Sequence, residues 1–163
     1  EYDCVIFATH SNQSLSLINN ASDNEKDILS AMEYQRNIAT IHTDSTILPK
    51  RNIAWSSWNY LINSTKEAVT LTYNMNILQS LKSSETYCVT INDNQYIDKN
   101  KIIKEIIYHH PLFTTKSVDA QSKKDLICGV NNTYFCGAYW GNGFHEDGVN
   151  SAIDSCRKIG VDF

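Results

Sequence analysis

The stretch that most constrains the fold is residues 133–160, where an apolar run is followed by glycines and then by a helical pattern. The run Thr133–Cys136 combines β-branched and aromatic residues, which is typical of a buried strand. Glycines interrupt the chain directly after it, at Gly137, Gly141 and Gly143. Beyond them, apolar residues recur at helical spacing, which predicts a helix with one buried face. The stripe consists of Val149, Ala152, Ile153 and Cys156, with Asp147 as the predicted N-cap and Gly160 as the predicted C-cap.

A strand, a glycine-rich turn and a helix form a βα unit that admits two interpretations. Glycines let another molecule approach the backbone closely, and the first turn of a helix offers unpaired N–H groups with a partial positive charge. Such a helix start attracts an anion or an electron-rich carbonyl. The alternative is an ordinary βα connection with tight packing. The spacing G-x-G-x-x-G is absent from this turn, so it is not a dinucleotide pyrophosphate loop by motif.

Composition places the chain among ordinary globular proteins. Its 163 residues are enough for one domain with a full core, and its net charge of -4 argues against a nucleic-acid partner. No apolar run approaches the roughly 20 residues that span a bilayer, and we expect a cytoplasmic protein. The five cysteines lack any C-x-x-C pair, which indicates reduced core thiols. They are Cys4, Cys88, Cys128, Cys136 and Cys156.

The amino-terminal segment has the pattern of a second buried strand. Cys4–Ala8 is continuously apolar, as a parallel strand covered on both faces would be, and polar residues follow at Thr9–Ser11. The carboxyl ends of such strands are where α/β sheets bind ligands. Ser11 is the predicted cap of a short helix, and Ser22 with Glu25 forms a capping box that opens a second. Because the sequence enters this pattern without a leader, we expect a piece of a longer protein.

Between the two terminal strands, apolar and polar residues alternate, which predicts an antiparallel sheet joined by short polar turns. The predicted strands are residues 36–43, 54–62, 68–74, 86–91 and 102–109, and short helices are predicted over 76–81 and 117–127. The expected fold class is therefore α/β (α+β), with an antiparallel or mixed sheet and flanking helices. The two terminal strands are expected to lie together in one sheet of a dinucleotide-binding domain.

Five stretches carry a family resemblance that covers nearly the whole chain. They are DCVIFATHS at 3–11 with Gln13 and Leu15, WSSWNY at 55–60, TYNMNILQ at 72–79, YHHPLF at 108–113 and FCGAYWGNGFHEDG at 135–148. In these stretches the chain resembles bacterial predicted NAD/FAD-binding proteins of the flavin-containing amine oxidase superfamily. The resemblance implies a discontinuous, Rossmann-like FAD-binding domain and an inserted substrate lobe. On that pattern residues 1–11 and 131–163 belong to the FAD-binding domain, and residues 12–130 form the lobe.

The resemblance also implies which residues meet the flavin. Gly137, Ala138 and Tyr139 would lie along the ribityl and pyrophosphate part of FAD, and Gly148 with Val149 would bring a helix start to the pyrimidine edge of the ring. The implied cofactor-binding set is completed by Gly143, Phe144, His145, Glu146 and Asp147. The family usually has an acidic residue where Ala138 stands. The alternatives for that contact are Glu146, Asp147 or backbone groups alone.

Other candidate residues come mostly from the middle of the chain. Aromatic rings interleaved with amides predict a substrate pocket made of Trp58, Asn59, Tyr60, Tyr73 and Asn76, with plain core packing as the alternative. His10 and the pair His109–His110 remain open between a pocket role and a polar turn. Adjacent residues seldom converge on one ion, so His145–Asp147 predicts no metal site. No catalytic residue can be named, because hydride transfer to a flavin needs no catalytic base.

The expected function follows from the resemblance. The complete protein is expected to be an FAD-dependent oxidoreductase that transfers a hydride from an organic small molecule to flavin. The glycine-rich phosphate loop of such proteins is absent from this sequence, so we expect the isolated chain to hold FAD poorly, to be inactive alone and to require the missing amino-terminal half. Its exposed sheet edges predict self-association. The alternatives are a non-catalytic binding module and metal-dependent hydrolysis through the His145 region.

Overall fold

A computed structural model describes residues 2–62, 70–92 and 95–162. The chain forms two compact units: unit 1 comprises residues 1–35 with 110–163, and unit 2 comprises residues 36–109. These boundaries differ from the predicted domain limits, since residues 12–35 and 110–130 pack in the same unit as the terminal strands. The assignment of one part to a cofactor and the other to a substrate stays a prediction.

Unit 1 is organised by a two-stranded parallel sheet made from the two ends of the chain. Strand β1 (Val5–Phe7) pairs with the last strand of the chain, β7 (Thr133–Phe135), and Val5 lies opposite Thr133. The expectation that the two terminal segments lie in one sheet is therefore confirmed, and the structure shows that they pair directly with each other. The expectation that β1 is covered on both faces was wrong, because Val5 is 46% exposed. Its only described strand neighbour is β7, so one edge of β1 has no partner strand in the part of the chain that the structure describes.

Helices pack against this strand pair and form the core of unit 1. They are α1 (Ser11–Leu17), α2 (Asp23–Ser30), α4 (Thr115–Gln121) and α5 (His145–Lys158). The core cluster consists of Ile28, Leu29, Ala31, Met32, Ala120, Ile127, Phe135 and Tyr139. The predicted capping box of α2 is confirmed, since Glu25 N–H donates to Ser22 Oγ and the Glu25 carboxylate accepts from Ser22 N–H. Ser11, in contrast, is the first residue of α1, and His10 is its N-cap.

Helix α5 ends as predicted, but its buried face matches the predicted one only in part. Gly160 adopts φ +87°, and its N–H donates to Arg157 O while Val161 N–H donates to Cys156 O, which is a Schellman motif. The predicted apolar stripe is only part of the buried face, because Ala152, Ile153 and Cys156 are half-buried but Val149 is 51% exposed. The residues that α5 buries are Ser151 and Ser155. Their short hydroxyl side chains hydrogen-bond to the backbone of Gly137 and Phe135, which a face of branched apolar residues could not do.

Unit 2 is built on a five-stranded sheet. The strands are β2 (Tyr34–His42), β3 (Trp58–Leu61), β4 (Thr70–Asn74), β5 (Cys88–Ile91) and β6 (Ile102–Pro111). Their order in the sheet is β3-β4-β5-β2-β6. The registered pairs among them are antiparallel. The expected fold class, an α+β arrangement with an antiparallel sheet and flanking helices, is confirmed. The chain enters unit 2 along β2 and leaves it along β6.

Short helical turns connect these strands. The four-residue helix α3 (Met75–Leu78) follows β4, and 3-10 turns lie at Ser45–Ile47, Asn52–Ala54 and Lys99–Lys101. In unit 1 the predicted helix over 117–127 is divided into α4 and a 3-10 turn at Lys124–Leu126. The short polar turns predicted between the strands include residues 63–66 and 92–95, and the first of these and part of the second lie outside the described residues.

All five cysteines are free thiols, as the sequence predicted. Burial, reinforced by the nearby charge of Asp44, raises the pKa of Cys88 to about 11, so this thiol stays protonated at neutral pH. Within the described ranges, no helix combines the length and the apolar character that crossing a bilayer requires.

Replacing Leu29 by alanine should destabilise unit 1. Leu29 is fully buried in the core cluster, so Leu29→Ala should lower the free energy of unfolding by about 2–5 kcal/mol. Hydrogen exchange of the α2 amides measures this within unit 1. The matched change Leu17→Ala, at a side chain that is 62% exposed, should shift the same quantity by less than about 0.5 kcal/mol. Equal protection in the two variants would contradict this assignment of the core.

Candidate functional site

One cavity of unit 1 lies at the carboxyl ends of β1 and β7. It has a volume of about 460 Å³. One wall follows β1, the other follows β7, and the start of β2 and the end of β6 complete it. Its lining residues are Ala8, Thr9, His10, Gln13, Tyr34, Pro111, Gly137, Ala138 and Tyr139. The carboxyl edge of parallel strands is the place where open α/β sheets bind ligands, so this cavity is the candidate site.

The wall after β7 requires a glycine for a steric reason. A Cβ atom on Gly137 would lie 2.7 Å from Cδ1 of Tyr139, so the tyrosine ring occupies the space that a larger residue would need. Both backbone polar groups of Gly137 are engaged, since Ser151 Oγ accepts from its N–H at 2.8 Å and lies 3.2 Å from its carbonyl oxygen. Ala138 opens the 3-10 turn Ala138–Trp140, and its N–H therefore has no acceptor within that turn.

Tyr139 is a wall residue whose polar end is buried. Its side chain is 3% exposed, and its hydroxyl oxygen has no hydrogen-bond partner of good geometry among the described residues. The indole N–H of Trp140 also has no hydrogen-bond partner of good geometry among the described residues. Burial raises the pKa of Tyr139, so the phenol stays protonated. The polar groups close to it belong to Trp140 and Ser14, whose side chains partly offset the effect of burial on this pKa.

The wall after β1 presents a flat aromatic pair. The rings of His10 and Tyr34 stack with their centroids 4.4 Å apart and an interplanar angle of 14°. The Tyr34 hydroxyl accepts a 2.9 Å hydrogen bond from Ser11 N–H, which fixes the ring. The sequence left His10 open between a ligand contact and a polar turn, and the structure places it in the cavity wall as the N-cap of α1. Gln13 and Pro111 belong to the stretches that carry the family resemblance, but no contact was assigned to either, and Tyr34 carries no sequence signal for this position.

The turn between β7 and α5 lies behind this wall. Gly143 N–H donates to Ala138 O, and a Cβ atom on Gly148 would lie 3.7 Å from Ala138 N. Asp147 is the third residue of α5, not its N-cap, and its carboxylate accepts from the N–H groups of Asn142 and Phe144 at 2.9 Å. The predicted cofactor residues that do not line the cavity are Gly143, Phe144, His145, Glu146, Asp147, Gly148 and Val149. Their contact with a flavin stays a prediction.

The carboxylates in the first turn of α5 change the electrostatics of its start. Glu146 and Asp147 both lie there, next to His145. Their negative charge opposes the partial positive charge of the helix start, so an anion is less favoured than at a bare helix N-terminus. A neutral carbonyl group is less affected by this repulsion.

The predicted substrate-pocket residues of unit 2 fall into three places. Trp58 packs edge to face against Tyr73, with the ring centroids 5.6 Å apart. Asn59 and Tyr60 line a separate cavity of about 360 Å³. Asn76 accepts from Tyr87 N–H and donates to Glu85 O, so its amide is engaged by the backbone. The structure brings Asn59 and Tyr60 together, and it does not gather all five residues around one described cavity.

The buried face of the unit 2 sheet is polar. Register places Thr72 opposite Thr90 and Thr90 opposite Thr40, in one row across the sheet. All three are at most 2% exposed, and His42 is fully buried beside them. The hydroxyls of Thr72 and Thr90 lie 2.8 Å apart, and His42 Nε2 lies 2.8 Å from the Thr90 hydroxyl. These strands are therefore held in register by hydrogen bonds between side chains.

Asp44 anchors the edge of this polar face. Burial alone would raise its pKa, but hydrogen bonds from Asp98 N–H and Thr46, together with the charge of Lys101, outweigh burial and lower the pKa from 3.8 to about 2. Lys101 Nζ lies 3.4 Å from the carboxylate. The carboxylate therefore stays ionised throughout the neutral and mildly acidic range.

The remaining histidine candidates do not form a site in the described residues. His109 and His110 are exposed on β6. His145 and Glu146 are exposed in the first turn of α5. In the described parts of the chain, no group of three or more potential metal ligands lies together.

Comparison with known proteins identifies a shared fold. No protein-family model matches the sequence, and no curated protein matches it. Among solved structures, a CLA-producing fatty acid isomerase from P. acnes is similar, with a TM-score of 0.60 and 14% sequence identity. The match covers 98% of this chain and 42% of the isomerase chain, so this chain spans less than half of that enzyme's length. The chain therefore shares its fold with a segment of an enzyme.

Removing the hydroxyl of Ser151 should loosen the wall after β7. Ser151→Ala leaves Gly137 N–H without its acceptor, which should lower the free energy of unfolding by about 1–3 kcal/mol. The exchange rate of the Gly137 amide should rise with it, as NMR would show. The control Ser122→Ala removes an exposed hydroxyl that bonds within its own helical turn, and it should change both quantities little. An unchanged Gly137 amide would contradict the assigned role.

Acidic pH should lower the stability of unit 2 because the Asp44 carboxylate becomes protonated. A carboxyl whose folded pKa is below its unfolded value contributes stability that is complete above the unfolded pKa and is lost as pH falls through the folded one. This contribution should amount to roughly 2 kcal/mol and should disappear as pH falls from about 4 to about 2. Asp44→Asn should abolish that part of the pH dependence, measured by denaturation at a series of pH values. Asp27→Asn, at an exposed helical position, should leave it in place.

Proposed function

We propose that this chain is part of a flavin-dependent enzyme, in which unit 1 closes the flavin site and unit 2 is the substrate lobe. The observation that carries the proposal is the cavity at the carboxyl ends of β1 and β7, bounded by the backbone of Gly137 and Ala138. The resemblance to the flavin-containing amine oxidase superfamily had assigned Gly137, Ala138 and Tyr139 to flavin contacts. All three are lining residues of that cavity.

The residues present are compatible with a flat heterocycle. The stacked rings of His10 and Tyr34 form one planar surface, and the short side chain of Ala138 leaves the other side open. The buried hydroxyl of Tyr139, which has no hydrogen bond of good geometry among the described residues, is a candidate donor to a ring or ribityl oxygen. A volume of about 460 Å³ is smaller than the whole cofactor requires, so this chain would hold one part of it. The phosphate part would depend on sequence outside these 163 residues.

The roles of the protein residues are binding and orientation. When bound, FAD would supply the hydride chemistry, which belongs to the cofactor and not to a side chain of this chain. Ser151 would hold the Gly137 backbone in position, and Asp147 would hold the turn at Asn142 and Phe144. Since Ala138 replaces the usual acidic residue, backbone groups and the Tyr139 hydroxyl would make the ribityl contact.

The substrate of the complete protein is proposed to be an organic small molecule. Amines are candidates from the superfamily resemblance, and a fatty acid is a candidate because the similar solved structure is a fatty acid isomerase. Spectral bleaching of the flavin in the complete protein, measured with each class of compound, would identify the substrate class.

The second candidate function is a non-catalytic binding module. The observation that favours it is the pair of carboxylates in the first turn of α5, which disfavours the anionic form of a reduced flavin there. A complete protein that is colourless as purified and takes up no FAD would support the module. A yellow protein that bleaches with substrate would support the enzyme.

Filling the cavity should block flavin binding. Lumiflavin, which is the ring system without a phosphate tail, should shift the backbone amide NMR signals of His10 and Ala138 in the 163-residue chain. Ala8→Trp places an indole at an exposed lining position and should abolish these shifts. The matched control Ala54→Trp, at an exposed position in unit 2, should retain them. FAD should bind this chain weakly.

Two results would contradict the proposed site. One is the absence of amide shifts at saturating lumiflavin, and the other is a set of shifts that Ala8→Trp leaves unchanged. Tight binding of FAD by the isolated chain would contradict the expected need for an additional phosphate-binding segment.

A further inference from the structure

A second cavity lies wholly within unit 2 and is distinct from the candidate flavin site. Its volume is about 360 Å³, within the range of about 300–1,000 Å³ that is typical of small-molecule pockets. Most of its wall is apolar or aromatic, and the polar residues lie among these side chains. Its lining residues are Thr46, Ile47, Leu48, Pro49, Lys50, Asn59, Tyr60, Leu61, Thr72 and Tyr96.

A chain of hydrogen bonds with a defined direction leads to this cavity. Asp44 N–H donates to His42 Nδ1 at 3.1 Å, so this ring nitrogen carries no proton. Burial lowers the pKa of His42, which favours the neutral ring. The ring proton therefore resides on Nε2, which donates to the Thr90 hydroxyl oxygen at 2.8 Å.

The direction continues from Thr90 to Thr72. The Thr90 hydroxyl accepts from His42, and the acceptor described for its own proton is the Thr72 hydroxyl oxygen at 2.8 Å. A hydroxyl has one proton to donate, and Thr72 accepts in this pair. The Thr72 proton is then left without an acceptor among the described residues. Thr72 is 2% exposed and lines the cavity, so a buried donor is available to a ligand there.

The other polar lining residues restrict what this ligand can be. Asn59 uses both ends of its amide on backbone groups, accepting from Ser56 N–H and donating to Ser56 O. The Thr46 hydroxyl donates to the Asp44 carboxylate at 2.8 Å. Lys50 is exposed, and no ion pair is described for it in residues 2–62, 70–92 and 95–162. The cavity thus offers a donor and a cation beside an apolar wall, which matches an anionic acceptor group on an apolar body.

We propose that this cavity binds a small carboxylate with an apolar tail, whose carboxylate oxygen accepts a hydrogen bond from the Thr72 hydroxyl while Ile47, Leu48 and Leu61 surround the tail. His42 and Thr90 are positioning residues, because they orient the Thr72 proton without touching the ligand. Lys50 adds attraction for the anionic group from an exposed lining position. The inference gives a ligand class to unit 2, which the proposed function makes the substrate lobe, and its evidence does not depend on flavin binding.

Octanoate is a suitable probe. In an NMR titration of the 163-residue chain, octanoate should shift backbone amides around Leu48, Leu61 and Thr72, whereas octylammonium, with the opposite charge, should not. This comparison uses the unmodified chain and does not depend on the folding of a variant. Binding of both ions with equal affinity, shifts located elsewhere, or no binding of octanoate would overturn the proposal.

Two variants of β4 distinguish the role of the Thr72 hydroxyl from a general effect of changing a buried threonine in this strand. Thr72→Val keeps the shape and removes the hydroxyl, and it should weaken octanoate binding about tenfold. The matched control Thr70→Val changes a buried threonine two positions away on the same face of β4, outside the cavity lining, and should change the affinity less than about twofold. Equal affinities of Thr72→Val and the unmodified chain would overturn the role of Thr72.

Two further measurements test Lys50 and the direction of the hydrogen bonds. Lys50→Met should weaken octanoate binding, and the effect should shrink with added salt, while Lys82→Met on an exposed segment should have no such effect. Nitrogen-15 NMR of the His42 ring should show a proton on Nε2 alone. A proton on Nδ1 would overturn the assigned direction. These results are independent of lumiflavin binding, so failure here leaves the flavin proposal in place.

Discussion

The parallel pairing of β1 with β7 is the interaction on which the rest of unit 1 depends. It pairs Val5 with Thr133, so the long chain segment between them must be closed into a loop before either strand gains a partner. Burial in the core offsets that entropic cost, and Phe7 stacks on Phe135 at 5.4 Å between ring centroids. Because the strands run in the same direction, their carboxyl ends meet. Thr9–His10 and Gly137–Tyr139 are brought together for that reason alone, and the candidate flavin cavity is the result.

Unit 2 depends on a different constraint. Its sheet buries threonine, asparagine and histidine side chains, while apolar side chains such as Ile41 and Val89 on the other face are only partly buried. Buried polar groups must be hydrogen-bonded, and the row from Thr72 through Thr90 satisfies this only in one register. A shift of one residue would place isoleucine and valine where the hydroxyls now pair. The same row leaves one hydroxyl proton unused at a cavity, so the constraint that fixes the strands also supplies a possible ligand contact.

The sequence was most informative where local chemistry decides the structure. The capping box at Ser22, the strand character of both chain ends and their parallel pairing followed from residue types and spacing. The buried face of α5 did not, because apolar periodicity favoured Val149, whereas close packing of a helix on the Gly137 backbone requires small hydroxyl side chains. The cavity was predicted only in part for a related reason. Gly137 follows a strand and carries a signal, whereas Tyr34 and Pro111 reach the same wall through contacts between distant segments.

The point at which the chain leaves and re-enters unit 1 has an evolutionary consequence. Leu112 N–H donates to Glu33 O at 2.8 Å. The two segments of unit 1 that flank residues 36–109 are therefore direct neighbours. A tight turn could span that gap without moving either segment. Residues 36–109 therefore have the geometry of an insertion into a hairpin. During evolution, unit 2 could have been lengthened, shortened or exchanged while the strand pair of unit 1 remained unaltered. Changes in the inserted unit would then not require changes in unit 1.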